Sequence, residues 1–172
     1  MKVAVIFANG TEEIEALTPV DVLRRASISC DIVSVSGEAP VGSHGITVKA
    51  DKTVEETDFS IYDAIVIPGG MPGATNIAKT KKIIEAIGKF IKVKKLIAAI
   101  CASPAVVLAE QGFLGENKAT CYPADVFIKA LGSNYTGENV EVSENIITAN
   151  GPKSAMEFSL AICNYLGVNP KF

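Results

Sequence analysis

The sequence predicts a doubly wound α/β domain spanning residues 1–172, and three observations carry that expectation. Short apolar runs recur at residues 2–8, 63–67 and Leu96–Ile100, each suited to a strand buried on both faces of a parallel sheet. Stretches with helical spacing separate them, as in alternating βα units. Each of these strands also runs into a loop of unusual chemistry: residues 9–15, 68–73 and 100–104. Parallel strands point their carboxyl ends the same way, so the three loops converge where such sheets bind ligands.

The elements follow in order. Residues 2–8 form the first strand, closed by the turn signal Asn9-Gly10. Thr11 is a candidate N-cap for the next helix, with Glu12, Glu13 and Glu15 near its start, where the helix dipole favours acids. Pro19 falls inside this stretch and either kinks one helix or lets Thr18 cap a second. Residues 30–35 are the second strand. Gly42-Ser43-His44-Gly45 then leads to residues 46–50, a small β-hairpin excursion. The strand at 63–67 enters Pro68-Gly69-Gly70-Met71-Pro72-Gly73, a loop built for unusual backbone angles or close backbone approach. Residues 81–93 carry Ile83, Ile84, Ile87, Phe90 and Ile91 at helical spacing.

After Leu96–Ile100, a helix over 105–109 is expected, with Ser103 or the cysteine turn as cap and Pro104 at its first position. Gly112 ends it. Residues 118–122 read as a further strand stopped by Pro123, and Asp125–Leu131 as a short helix. Residues 140–142 and 145–149 pair as a hairpin through Ser143-Glu144. Gly151-Pro152 opens a last helix with apolar residues at Met156, Phe158, Leu160, Ala161 and Ile162.

With 48% hydrophobic and 20% charged residues, a chain of 172 has ample material for one core. A net charge of -3 without a basic stripe argues against nucleic acid as partner. No apolar run approaches the ~20 residues that span a bilayer. The start, Met1-Lys2-Val3-Ala4-Val5-Ile6-Phe7, is too short for a signal peptide and reads as a strand, so a cytoplasmic protein is expected. Cys30, Cys101, Cys121 and Cys163 are scattered and there is one histidine, so free thiols and no metal site are expected. The Gly69-Gly70 pair lacks G-x-G-x-x-G spacing, and no cofactor is expected.

The question is then which thiol is special. Cys101 sits at a strand-to-helix turn, beside free backbone N–H groups and the positive end of a helix dipole, which favours thiolate. Glu15 differs from its neighbours if the helix buries the face next to Ile14. A carboxylate repels a thiolate, so the two would share a proton, and protonated Glu15 would donate to the Cys101 sulfur. Glu12 and Glu13 read as surface acids. The amides of Gly69, Gly70 and Ala102 are candidate donors to an oxyanion or to the oxygens of an oxidised cysteine. His44 and Tyr122 are candidates for the pocket rim.

Gly10-Thr11-Glu12-Glu13-Ile14-Glu15, Pro19-Val20-Asp21-Val22-Leu23-Arg24-Arg25-Ala26, Pro68-Gly69-Gly70, Ile97-Ala98-Ala99-Ile100-Cys101-Ala102 and Thr148-Ala149-Asn150-Gly151-Pro152 occur together in order. In this the chain resembles the ThiJ/PfpI superfamily, in its parkinsonism-associated deglycase branch. The resemblance implies a flavodoxin-like three-layer sandwich and a homodimer, with Cys101 nucleophilic or oxidisable, Glu15 hydrogen-bonded to it, and Gly70 and Ala102 supplying amides. It further implies an oxidative-stress role through a cysteine sulfinate, a cofactor-independent glyoxalase or deglycase activity on small reactive aldehydes, or a redox-regulated chaperone. Many relatives carry a histidine where this chain has Tyr122, and arginines where it has His44 and Asn150. Protease-like members carry histidine where this chain has Ala102, which argues against peptidase activity.

Overall fold

In the computed structural model, which describes residues 1–172, seven strands form one sheet: β1 (Lys2–Phe7), β2 (Ser29–Ser34), β3 (Lys52–Thr53), β4 (Ala64–Ile67), β5 (Leu96–Ile100), β6 (Val140–Ser143) and β7 (Ile146–Ala149). The order across the sheet is β3-β2-β1-β4-β5-β7-β6, and every pair is parallel except β6 with β7. Five helices flank it: α1 (Glu13–Arg25), α2 (Gly73–Ala78), α3 (Lys81–Lys92), α4 (Asp125–Leu131) and α5 (Ala155–Tyr165). This is the doubly wound, flavodoxin-like arrangement that the sequence predicts.

The pleat divides the apolar residues between two layers. Ala4, Ile6, Ile65, Ile67, Ile97 and Ala99 pack in a core with Ile77 of α2, Ile83, Ile87 and Phe90 of α3, and Leu131 of α4. Val3, Val5, Phe7, Val66, Leu96, Ala98 and Ile100 pack on the other side with Val20 and Leu23 of α1 and Phe158 and Ile162 of α5. Slipping a strand by one residue would exchange the two sets, so filling both layers fixes the register. The chain leaves β1 toward β2 on one side and later builds β4 and β5 on the other. The carboxyl ends of β1, β4 and β5 therefore meet at the switch point, where open α/β sheets place their sites.

Several elements differ from the sequence expectation. The stretch around Pro19 is one continuous helix, with Pro19 buried inside it. Its N-cap is Glu12, whose side chain accepts from Ile14 N–H, while the Thr11 hydroxyl oxygen accepts from Ala8 N–H at 3.0 Å. The excursion folds back on itself, with Val48 N–H donating to the Pro40 carbonyl at 3.0 Å and Ala50 N–H to the Glu38 carbonyl at 2.9 Å, although it adds no strand to the sheet and Val41 with Thr47 is its one β-bridge. Residues 118–122 are not a strand. Apart from one bridge between Ala119 and Tyr135 they have no ladder, since β7 is already flanked by β5 and β6 and Thr120 N–H is taken by the Thr148 hydroxyl at 2.8 Å. The helix expected over 105–109 is a six-residue π-helical turn, Pro104–Ala109, without a side-chain cap. In α5, Met156 and Leu160 are exposed while Phe158 and Ile162 are buried. No helix is long and apolar enough to cross a membrane.

Phe158→Ala is expected to cost about 3–5 kcal/mol, because it empties the centre of the α1–α5 layer. Val142→Ala on the exposed face of β6 should cost under about 1 kcal/mol. Urea unfolding of the two variants against wild type measures the contrast, and similar midpoint shifts would contradict this account of the core.

Candidate functional site

β5 is buried on both faces and ends at Ile100, and the chain then turns sharply at Cys101 with φ +66°. A left-handed angle at a non-glycine residue costs about 1–3 kcal/mol and survives only where its surroundings over-determine it. They do so here. Cys101 N–H donates to the Ala149 carbonyl at 2.9 Å, and its own carbonyl accepts from Tyr122 N–H at 2.8 Å. Ser103, expected as a cap, instead donates its hydroxyl to the Pro68 carbonyl at 2.6 Å and ties the elbow to the loop after β4. The result is a thiol presented on a fixed backbone.

Gly69 explains why that loop carries glycine at its centre. A Cβ placed there would lie 2.7 Å from Cys101 Cβ and 2.8 Å from Glu15 Oε2. The Gly69 N–H donates to Glu15 Oε2 at 2.8 Å, and its carbonyl accepts from Glu12 N–H at 3.0 Å. Gly69 therefore differs from expectation: its amide is committed to the carboxyl rather than facing the sulfur. The Gly70 and Ala102 amides do face it, and they are the backbone donors to the Cys101 thiol. Gly70 has φ +84°, and a side chain there would run into the backbone of Thr11 and Gly10.

Glu15 is fully buried. The helix buries the face next to Ile14, with Glu13, Glu15 and Ala16 turned inward, while Ile14 itself turns outward. Burial raises the Glu15 carboxyl from 4.5 to about 7, against the lowering effect of the Cys101 and Gly69 hydrogen bonds. Burial and the Glu15 charge together push the Cys101 thiol up to about 12 while the carboxylate is ionised. The helix dipole therefore does not produce an isolated low-pKa thiol. The pair sheds one proton near neutrality and holds the second, and thiolate arises when the remaining proton sits on Glu15. Apart from the Cys101 thiol, nothing offers the buried Glu15 Oε1 a hydrogen bond.

Glu13 is not a surface acid. It is 4% exposed, and its carboxylate accepts from His44 N–H at 2.8 Å, Ile46 N–H at 3.4 Å and the Ser43 hydroxyl at 3.2 Å. Burial works to raise its pKa, but its own backbone N–H, the His44 side chain and the His44 and Ile46 amides outweigh that and hold the carboxyl at about 2. His44 Nδ1 lies 3.0 Å from Glu13 and 3.4 Å from Glu12, and those acids raise the imidazole pKa. His44 is thus engaged with α1 and makes no hydrogen bond with Cys101. Tyr122 is half-exposed, with its ring edge against Gly151. The Asn150 side chain is spent on Asn139 at 3.0 Å and Ser154 at 2.7 Å, where it anchors the turn into α5.

The structure thus brings together Cys101, Glu15, Gly69, Gly70 and Ala102, sets His44 on a separate cluster, and leaves Tyr122 and Asn150 as neighbours of the elbow. The roles of Ser103 and Glu13 were missed by sequence reasoning. For Ser103 the signal was a hydroxyl at a turn, and for Glu13 an acid two residues before another acid on a helix that buries one face.

Fold and site define a doubly wound α/β domain whose elbow cysteine is paired with a buried carboxyl. The chain belongs to the DJ-1/PfpI family, whose sequence model matches residues 1–165. It is 36% identical over 168 residues to Protein DJ-1 homolog B of Arabidopsis thaliana, covering 96% of this chain and 38% of that protein. The chain thus spans well under half the length of that plant relative. It is 34% identical over 155 residues to Glutathione-independent glyoxalase DJR-1.2 of Caenorhabditis elegans, covering 90% of this chain and 82% of the relative. Toxoplasma gondii DJ-1, solved in an oxidized form, superimposes with a TM-score of 0.92 at 41% identity, covering 96% of this chain and 90% of the other.

The Glu15 shift fixes the sign of a pH effect. An unfolded Glu15 titrates near 4.5 and the folded one near 7, so the folded state holds an extra proton between those values and loses stability as pH rises through them. Glu15→Gln, which carries no charge, should therefore gain on wild type by ~1–3 kcal/mol between pH 4.5 and pH 7, with no further change above. Thermal unfolding at pH 5 and pH 8 tests this, and a pH-independent difference would contradict it.

Proposed function

We propose that this protein is a cysteine-based oxidative-stress protein in which peroxide oxidises Cys101 to the sulfinate. The observation that carries this is the buried Glu15 carboxyl, paired with the Cys101 thiol and with no other partner at Oε1, beside a sulfur that faces two amides. The thiolate attacks one peroxide oxygen, the O–O bond breaks, and the departing hydroxide takes a proton and leaves as water. A second peroxide oxidises the sulfenate to sulfinate in the same way. The product carries two oxygens, for which the Gly70 and Ala102 amides and a protonated Glu15 supply donors. That satisfied set disfavours further oxidation. The related Toxoplasma protein in its oxidized form supports the reading.

Mild peroxide followed by mass spectrometry should show two added oxygens on Cys101 at least about tenfold ahead of Cys30, Cys121 and Cys163, all three of which are buried. The rate should climb through about pH 7, where the pair loses its first proton, and Glu15→Gln should abolish that step. Cys101 oxidised no faster than Cys163 would overturn the proposal.

A second reading is favoured by the relative named a glutathione-independent glyoxalase and by a thiolate and a carboxyl that exchange a proton in one pocket. Cys101 would add to the aldehyde carbon of methylglyoxal, with the new oxyanion protonated by Glu15. The carboxylate then removes the hydrogen from that carbon and returns a proton to the neighbouring one, and water hydrolyses the resulting thioester to lactate. Lactate formation should exceed a Cys101→Ala control and fall by about 10²–10⁴ in kcat in Glu15→Gln. Rates equal to the control would exclude it.

Assembly as a homodimer is part of the same proposal. Ile14 on α1 and Met156 and Leu160 on α5 stay exposed on two helices that pack against each other. A reducing cytoplasm fits the four free thiols.

A further inference from the structure

Two successive peptide groups in the loop after β4 share one pattern: each has a donor on its carbonyl and a site group on its N–H. In the Gly69–Gly70 peptide, the carbonyl accepts from Glu12 N–H at 3.0 Å and the N–H faces the Cys101 sulfur. In the Pro68–Gly69 peptide, the carbonyl accepts from the Ser103 hydroxyl at 2.6 Å and the N–H donates to Glu15 Oε2 at 2.8 Å. The first carbonyl donor is backbone, whereas the second is a side chain. We propose that Ser103 is a positioning residue that sets how the shared proton is divided between Glu15 and Cys101. Its hydroxyl polarises the Pro68–Gly69 peptide, whose N–H then holds Glu15 as carboxylate and leaves the proton on the sulfur. This rests on the reading that Cys101 and Glu15 share a proton, and it adds a side chain that hydrogen-bonds to neither.

The surroundings favour a dedicated tie. Ser103 is fully buried, and its side chain does not cap the helical turn that follows it. Pro68 is also buried, and no backbone amide donates to its carbonyl, so the hydroxyl is the donor that satisfies it. At 2.6 Å the bond is at the short end for two oxygens. The approach it spans is crowded, since a Cβ at Gly69 would lie 2.7 Å from Cys101 Cβ and 3.0 Å from Ala102 N. The Ser103 bond draws loop and elbow together at that spacing.

Amide polarisation gives the direction of the effect. A hydrogen bond on a carbonyl draws electron density toward oxygen and makes the N–H of the same peptide a better donor. Linked bonds of this kind strengthen one another by about 10–30%. A better donor favours carboxylate over carboxylic acid. The Gly69 N–H already works against burial to lower the Glu15 pKa, and Ser103 reinforces it. The titratable groups acting on Glu15 are Cys101 at the elbow and Glu12 on its own helix. Residues 8–11 at the end of β1 and 68–73 after β4 carry none. No proton crosses the Pro68–Gly69 peptide.

Two quantities are thereby linked. Holding Glu15 as carboxylate lowers the pH at which the pair gives up its first proton. It also lowers the share of the singly protonated pair that is thiolate, by the same factor. Well below that pH the two effects cancel. Ser103 therefore trades peak reactivity of the sulfur for a reactivity that stays level over a wider pH range.

The pH profile of Cys101 alkylation by iodoacetamide tests this in the full chain, read on the Cys101 peptide by mass spectrometry. In wild type the rate should rise to a plateau through about pH 7. Ser103→Ala should move that midpoint up by about 0.2–0.6 unit and raise the plateau by the matching factor, about 1.5–4-fold, with the acid limbs superimposed. The variant leaves the Pro68 carbonyl unsatisfied and lowers the Tm, but the midpoint is read on folded protein well below it. In a Glu15→Gln background, Ser103→Ala should leave the profile unmoved, because no carboxylate remains to respond. A midpoint that stays or falls in Ser103→Ala would overturn the proposal while leaving the pairing of Cys101 with Glu15 intact. A change that persists with Glu15→Gln would mean that Ser103 only shapes the elbow, and would overturn it too. A wild-type profile without a step near neutrality would remove the pairing itself and this inference with it.

Discussion

A carboxyl and a thiol buried side by side have to share a proton, and much of this molecule is arranged around that requirement. Neither group could ionise alone at modest cost, because burial penalises each charge and each charge penalises the other. Sharing needs the two groups at one fixed separation. Cys101 is fixed by a left-handed turn bonded to Ala149 and Tyr122, and Glu15 by the Gly69 amide. Gly69 is where the two supports meet, since its missing side chain is what lets carboxyl, sulfur and the Ala102 amide approach one another. Three strands that end side by side supply the common platform.

The start of α1 shows how far local donors outweigh position in a helix. Glu13 and Glu15 are two residues apart, both in the first turn and both buried. A dipole argument treats them alike. Yet one carboxyl sits at about 2 and the other at about 7. Glu13 is surrounded by amides and hydroxyls of the incoming 42–46 loop, whereas Glu15 has a single amide and a sulfur. The same chain segment thus holds a permanent anion that fastens a loop and a proton store that serves a thiol.

The layers of the fold were legible because the period of the apolar residues differs between strand and helix. β4 and β5 are apolar at every position and β1 at every position after Lys2, which needs covers on both faces, and the Cys101 elbow follows from where β5 ends. What stayed hidden depends on partners distant in sequence. The fate of residues 118–122 turns on Thr148 and on β7 having no free edge. The burial of Glu13 turns on a loop thirty residues later, and that of Gly69's amide on a helix more than fifty residues earlier. The raised thiol pKa was obscured for a related reason: a helix N-terminus is visible in a string of letters, while the degree of burial that opposes it is not.

The sheet is finished differently at its two rims. On one side β3 is two residues long, and on the other β6 is a four-residue antiparallel strand ending in the turn at Glu144. Neither margin offers a long ladder of unpaired amides and carbonyls, so neither is a good template for adding another chain's strand. Self-association by extending the sheet, the usual first step toward fibrils, is thereby discouraged in a molecule whose core strands are themselves strongly apolar. Growth of any assembly is left to helix faces, which carry no unpaired ladder for a further strand to extend.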